Sequence, residues 1–156
     1  RLNIQQKVSA EGEVIAEKLS INTAGIMAER FGKDTLISLA TVDNGEPQVR
    51  TVDGYYEDGA FYVLTYALSG KMRQLEKHPR AAVCGEWFTG SGIGENLGYI
   101  LDEKIEELFT KLREVFAGWY GNGHIVESDR NNIILKIQLT DGILFANGVR
   151  YDIDFT

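Results

Sequence analysis

The sequence predicts a mainly β protein, an antiparallel barrel of six or seven strands, closed or nearly closed, with helices flanking it. Short segments rich in β-branched and aromatic residues recur along the 156-residue chain, and the joins between them carry tight-turn chemistry. Only a few stretches keep a helical period. Strands that follow one another through hairpins suit a closed barrel better than a doubly wound sheet, which needs a crossover helix after each strand.

The elements follow in chain order. EGEVIAEKLSINTAGIMAERFG reads as an N-terminal helical segment from about residue 10 to 32, with Asn22 or Thr23 as cap and Gly32 as stop. LISLATV then alternates as a strand. Asp43 to Pro47, DNGEP, is hairpin chemistry, because Asn and Gly tolerate the positive φ of a tight turn. Leu36–Val42 and Gln48–Tyr56 are therefore expected to be antiparallel neighbours. EDGA, Glu57 to Ala60, turns into the strand FYVLT. Ser69 stands where a cap belongs, and Met72 and Leu75 mark a short helix that ends before Pro79. AAVCGEWF reads as one strand. TGSGIGENLG lacks the dinucleotide-binding glycine spacing, since Glu95 and Leu97 stand where a glycine would be needed, so it reads as a bend or bulge between two barrel strands. Asp102 to Phe116 is the clearest helix, with Ile105, Leu108, Phe109, Leu112 and Phe116 on one face and a Glu107–Lys111 pair on its surface. GWYGNGH is either a plain loop or an aromatic lid. IILKIQL and a strand centred on VRYDIDF finish the chain.

Length and the absence of a linker make residues 1–156 a single domain. The chain has 16 Lys and Arg against 23 Asp and Glu, a formal charge of -7, which argues against nucleic acid and anionic membrane as partners. Cys84 is the single cysteine, and no apolar run approaches the ~18 residues of a membrane span, so a cytoplasmic location is expected. His78 and His124 stand far apart, no spacing suggests a metal site, and no nucleophile is paired with a base.

One short stretch stands against the acidic background. In LTYALSGK, Thr65, Ser69 and Lys71 crowd the point where a strand gives way to a helix, and Arg50 lies on the preceding strand pair. An arginine fork, a lysine point charge and a hydroxyl are the donors a phosphate needs. The run VRTV, a hairpin, LTYALSGKMRQLEKHPRAAV and a Trp resembles the flavin-mononucleotide site of the pyridoxamine 5'-phosphate oxidase-like split barrels, most closely over Leu36 to Trp87.

That resemblance implies an FMN-binding split barrel in which Arg50 and Lys71 hold the phosphate. Ser69 and Thr65 would add hydrogen bonds, Gly70 would belong to the same cofactor-binding stretch, and Thr51, Val52 and Tyr66 would line the ring edge. It implies a homodimer with the flavin at the subunit interface, covered by Trp87 or Trp119 from either chain. The expected chemistry is electron transfer from NAD(P)H to a small-molecule acceptor, because a flavin carries the electrons itself and needs no protein nucleophile. The alternatives are a non-catalytic flavin-binding stress-response module, or a haem- or deazaflavin-binding relative of the same fold. Tyr55 and Gly70 stand where the vitamin-oxidising members have cations, and the carboxy terminus lacks their Arg-x-His pattern. The smaller general stress and nitroimidazole-resistance proteins are thus the nearer likeness.

Overall fold

The structure, a computed structural model, describes residues 4–8, 14–18 and 21–156, with side chains described from Thr23 onward. Nine strands occur among the described residues: β1 (Ile4–Val8), β2 (Val14–Lys18), β3 (Thr35–Asp43), β4 (Glu46–Glu57), β5 (Ala60–Tyr66), β6 (Arg80–Gly85), β7 (Phe88–Tyr99), β8 (Asn132–Ala146) and β9 (Val149–Asp154). Four α-helices accompany them: α1 (Ile21–Phe31), α2 (Gly70–Lys77), α3 (Glu106–Val115) and α4 (Ala117–Tyr120). The sheet runs β2-β1-β9-β8-β5-β4-β3-β6-β7, and β7 returns to pair with β8. Six strands therefore close into an antiparallel barrel, while β9, β1 and β2 extend the sheet from β8.

Asn44-Gly45 and Asp58-Gly59 take the left-handed conformation at both turn positions, and the expected β3–β4 pairing forms from Thr35↔Gly54 to Asp43↔Glu46. Inward side chains pack one core, in which Phe31, Phe61 and Phe88 meet with ring centroids 5.6 to 6.4 Å apart. The helix α1 covers one barrel end by burying Thr23, Met27 and Phe31, spaced four residues apart on one face. Each such apolar side chain contributes roughly 1.5–3 kcal/mol. Gly32 stops this helix as expected: its N–H reaches the Ala28 carbonyl, and a Cβ there would lie 2.4 Å from that oxygen. A second core gathers Tyr55, Ile100, Phe109, Leu112, Phe116 and Ile134 under α3 on the outside of the barrel.

Several expectations are corrected. The N-terminal segment is not one helix: Val14–Lys18 pairs with β1 as a strand, and the helix begins only at Ile21, which puts Asn22 and Thr23 inside its first turn. Residues 10–13 and 19–20 of that segment lie outside the described residues. AAVCGEWF is a hairpin rather than one strand, since Gly85 pairs directly with Phe88 across Glu86 and Trp87. TGSGIGENLG does not separate two strands but is the body of β7, and the expected bulging lies within it, where its register against β8 shifts at Ser91/Gly92 and again at Asn96/Tyr99. The last long helix opens with a 3-10 turn, Glu103–Ile105, and is α-helical only from Glu106 to Val115, one residue short of the expected end, and Lys111 pairs with Glu57 of β4 instead of Glu107. Its predicted start is met, because the Asp102 side chain accepts from the Lys104 N–H at 3.0 Å.

Candidate functional site

The barrel wall is interrupted between β4 and β5. β4 and β5 pair only through Tyr55↔Tyr62, Tyr56↔Phe61 and Glu57↔Ala60, although β4 reaches back to Glu46 and β5 forward to Tyr66. Beyond those pairs β4 keeps β3 as its only strand partner and β5 keeps β8, so a gap opens between Arg50–Gly54 and Val63–Tyr66. Backbone groups of β4 that point away from β3 have no strand to meet there. The chain leaving β5 turns through Ala67–Ser69, with the Ser69 N–H on the Tyr66 carbonyl at 3.0 Å, and enters α2 beside the gap.

Arg50 and Lys71 come together at this place. Arg50 donates through Nη1 to Thr41 Oγ1 (2.6 Å) and to the Leu39 carbonyl (3.3 Å), and through Nη2 to Gln74 Oε1 (2.9 Å). Thr41 donates in turn to Gln74 Oε1 at 2.6 Å, which closes a triangle between β3, β4 and α2. Burial draws the Arg50 pKa down, and burial followed by the Arg50 charge draws Lys71 down. Among the described residues no carboxylate forms an ion pair with either cation. Ser69 occupies the N-cap position of α2 with extended backbone, yet its hydroxyl makes no cap bond; it is buried with no partner. A desolvated hydroxyl and two uncompensated cations are a costly arrangement unless an anion joins them.

The register divides the remaining expected residues. Arg50 and Val52 point into the barrel, where Val52 packs against the core, while Thr51 is exposed on the outer face opposite Ser38. Thr65 shares the inward face of β5 with Phe61 and Val63. It lines a hollow of about 340 Å³ with Tyr66, Ile100, Trp119, His124 and Asn132. The segment GWYGNGH therefore does reach the gap. Tyr66 turns its hydroxyl to Asp129 Oδ2 at 2.8 Å. Gly70 is the first residue of α2, and a Cβ there would approach nothing closer than 3.8 Å, the ends of Arg73 and Gln74. Trp87 lies apart, 70% exposed in the β6–β7 turn with φ 52° and edge-on to Phe145. Tyr55 is buried under α3 with its hydroxyl on Glu57 at 2.8 Å.

Two groups of residues at the site were not foreseen. Thr41 and Gln74 aim Arg50, and neither has a sequence signal beyond Gln74 standing one turn after Lys71. Asp34 and Asp53 form the other group beside Trp119; the Asp34 carboxyl is pushed up to about 6, by desolvation first and then by its bond to Asp53 and that group's charge, with the Trp119 indole opposing. No helix among the described residues is long and apolar enough to cross a membrane.

Comparison with known proteins agrees with this architecture. The general stress protein 26 of Bacillus anthracis superposes with a TM-score of 0.60 at 18% identity, over 78% of this chain and 92% of that one. A NimC/NimA family protein from Clostridium acetobutylicum gives 0.60 at 16%, over 83% and 91%. A pyridoxamine 5'-phosphate oxidase-related, FMN-binding protein from Nostoc punctiforme gives 0.55 at 17%, over 85% and 89%. Other neighbours are named a FAD-binding protein and an F420 reductase. No curated protein matches in sequence. The profile of the pyridoxamine 5'-phosphate oxidase family nevertheless matches residues 26–143, a span that runs from α1 through the gap, α2 and the long helices into β8, and the chain belongs to that family.

Proposed function

We propose that this chain is a flavin-binding protein whose ligand is FMN, and that as a homodimer it passes electrons from a reduced nicotinamide to a small acceptor. One observation carries the reading: at the strand gap, Arg50 and Lys71 stand partly buried without a carboxylate, beside a buried, unpartnered Ser69 hydroxyl. These groups fit a phosphate. Arg50, fixed by Thr41 and Gln74, would present its remaining N–H groups, Lys71 a point charge and Ser69 its proton. The open edge of β4 at Thr51–Asp53 and the inward Thr65 would bound the rest of the ligand, with Trp119 limiting access of water. When bound, a flavin supplies the two-electron chemistry; the protein's part is binding, orientation and exclusion of solvent.

The register supports a homodimer. Two rows, Thr51–Ser38–Cys84–Thr89–Ile143 and Val49–Ala40–Ala82–Ser91, cross the outer face of the barrel; all their residues are small or β-branched, and Asp141 closes the second row. Leu36 (65% exposed), Trp87 (70%) and Phe145 (45%) flank them, and Val49 (70%) ends the second row. A face of this kind suits a second copy, and Trp87, remote from its own chain's cradle, is then the aromatic a partner would receive. Because Tyr55 points under α3, no cation takes the place of the vitamin-oxidising members' lysine, which supports an acceptor other than a phosphorylated vitamin.

The test is the absorbance and mass of the cofactor that copurifies, with flavin titration of Arg50→Ala and Lys71→Ala. Losing one charged hydrogen bond costs about 1.5–3 kcal/mol, so each variant should bind FMN roughly ten- to a hundredfold more weakly. Unchanged affinity in both would remove the site. Bound flavin without turnover of any nicotinamide would instead favour the stress-response module.

A further inference from the structure

The outer side of α2 carries a feature that the FMN cradle does not use. From Leu68 to Arg80 the chain has Lys71, Arg73, Lys77 and Arg80 against Glu76 alone, a local excess of positive charge in a chain of net charge -7. Arg73, Lys77 and His78 line a hollow of about 280 Å³ with Asn44, Gly70 and Gln74. Gln74 is common to both places: its Oε1 accepts from Arg50 in the cradle, and its side chain forms a wall of the hollow. Asp43 is the one carboxylate that lines the hollow, so its basic residues outnumber its acids. Arg73 spends one donor, Nη1, on the Leu68 carbonyl at 2.6 Å and keeps its other guanidinium donors.

We infer that this hollow is a second anion subsite, continuous with the cradle through Gln74, that takes a further phosphate group of a nucleotide ligand. The inference rests on the FMN reading above, because it treats the Arg50–Lys71 cradle as the seat of the first phosphate. Two ligands offer the chemistry. A flavin dinucleotide would extend its second phosphate from the cradle into the hollow. A phosphorylated nicotinamide donor would place its extra phosphate there as a separate molecule. Arg73 and Lys77, both exposed, can reorient toward either, and their contribution should weaken as salt is raised.

The experiment compares wild-type protein with the double variant Arg73→Gln, Lys77→Gln, which keeps helix formers on an exposed face. Apoprotein is titrated with FMN and with FAD by fluorescence quenching, and FMN-loaded protein with NADH and NADPH by calorimetry, at low and high salt. FMN affinity should be the same in both proteins. Wild type should prefer FAD over FMN, or NADPH over NADH, by about tenfold at low salt, and the double variant should lose that preference. Which pair shows it identifies the source of the phosphate, and a preference for FAD would make the dinucleotide, rather than FMN, the flavin seated in the cradle. Equal affinities within both pairs in wild type, or a preference that survives in the double variant, would overturn the subsite while leaving the cradle intact. Failure of FMN to bind wild type would overturn both readings, and failure of both Arg50→Ala and Lys71→Ala to weaken FMN would overturn the cradle and this extension of it.

Discussion

Arg50 of β4 donates to the side-chain oxygen of Gln74 on α2 at 2.9 Å, a bond that crosses from the barrel wall to the helix beside the strand gap. Gln74 also accepts from Thr41, so one amide oxygen holds both partners and fixes the guanidinium plane. Gln74→Ala should release Arg50 and weaken FMN about tenfold, with little effect on folding. Gln74→Glu should be worse, because a carboxylate would neutralise the arginine and repel the phosphate. Flavin fluorescence titration of the two variants checks the order; equal losses would mean that Gln74 acts only as packing.

Ser69 should show effects of opposite sign. Its hydroxyl is desolvated without a partner, so Ser69→Ala removes a buried polar group and should leave the flavin-free protein as stable or slightly more stable. The same change should weaken FMN by about 1 kcal/mol, roughly fivefold. Melting temperature of the apoprotein and flavin affinity, measured side by side, separate this from a capping role, in which Ser69→Ala would destabilise the apoprotein.

The Asp34–Asp53 pair predicts a pH dependence. Asp34 titrates at about 6 in the folded chain against 3.8 as its ordinary value. The folded protein thus holds a proton that the unfolded chain releases. Its contribution to stability is fully present below the ordinary value and is lost as pH rises through about 6. Asp34→Asn should remove that decline. The difference in melting temperature between wild type and variant, followed from pH 4 to 7, should grow in favour of the variant as pH rises; a constant difference would refute the coupling.

The outer face predicts association. Val49→Glu places a charge opposite Ala40, at the β4 end of the small-residue rows, and should shift a dimer toward monomer without disturbing the inward core. Light scattering at micromolar concentration reads the result. A wild-type monomer that holds full flavin would contradict the subunit-interface site.

What the sequence disclosed follows the chemistry of single residues. The Asn44-Gly45 and Asp58-Gly59 hairpins were legible because few residue pairs tolerate two positive φ angles in succession. Asn147-Gly148 carries the same signal at the end of β8 and was available to it, yet the strand was expected to end at Leu139. The Glu86–Trp87 turn had no such mark: a tryptophan at φ 52° is a conformation that local propensity would not choose. Val14–Lys18 has helix-compatible composition and becomes a strand through its pairing with β1, a tertiary decision. At the site, Arg50, Ser69 and Lys71 could be found because charge and hydroxyl chemistry is local. Thr41 and Gln74 could not, since their role exists only once β3, β4 and α2 are assembled.

The short β4–β5 pairing has a mechanical meaning. β7 and β8 meet through ten residue pairs, whereas β4–β5 and β3–β6 are each clasped by three, so the cylinder is fastened firmly on one side and lightly at the two seams that flank the β3–β4 hairpin. Opening should begin at these light seams, and at the one between β4 and β5 the backbone amides of β5 and of the adjoining part of β4 should exchange with solvent sooner than those of β8. A ligand gripped by Arg50 on one lip and by Ser69 and Lys71 beyond the other would act as a strut across the parted strands. Its binding energy would then appear as resistance to local opening, concentrated at the seam rather than spread over the barrel.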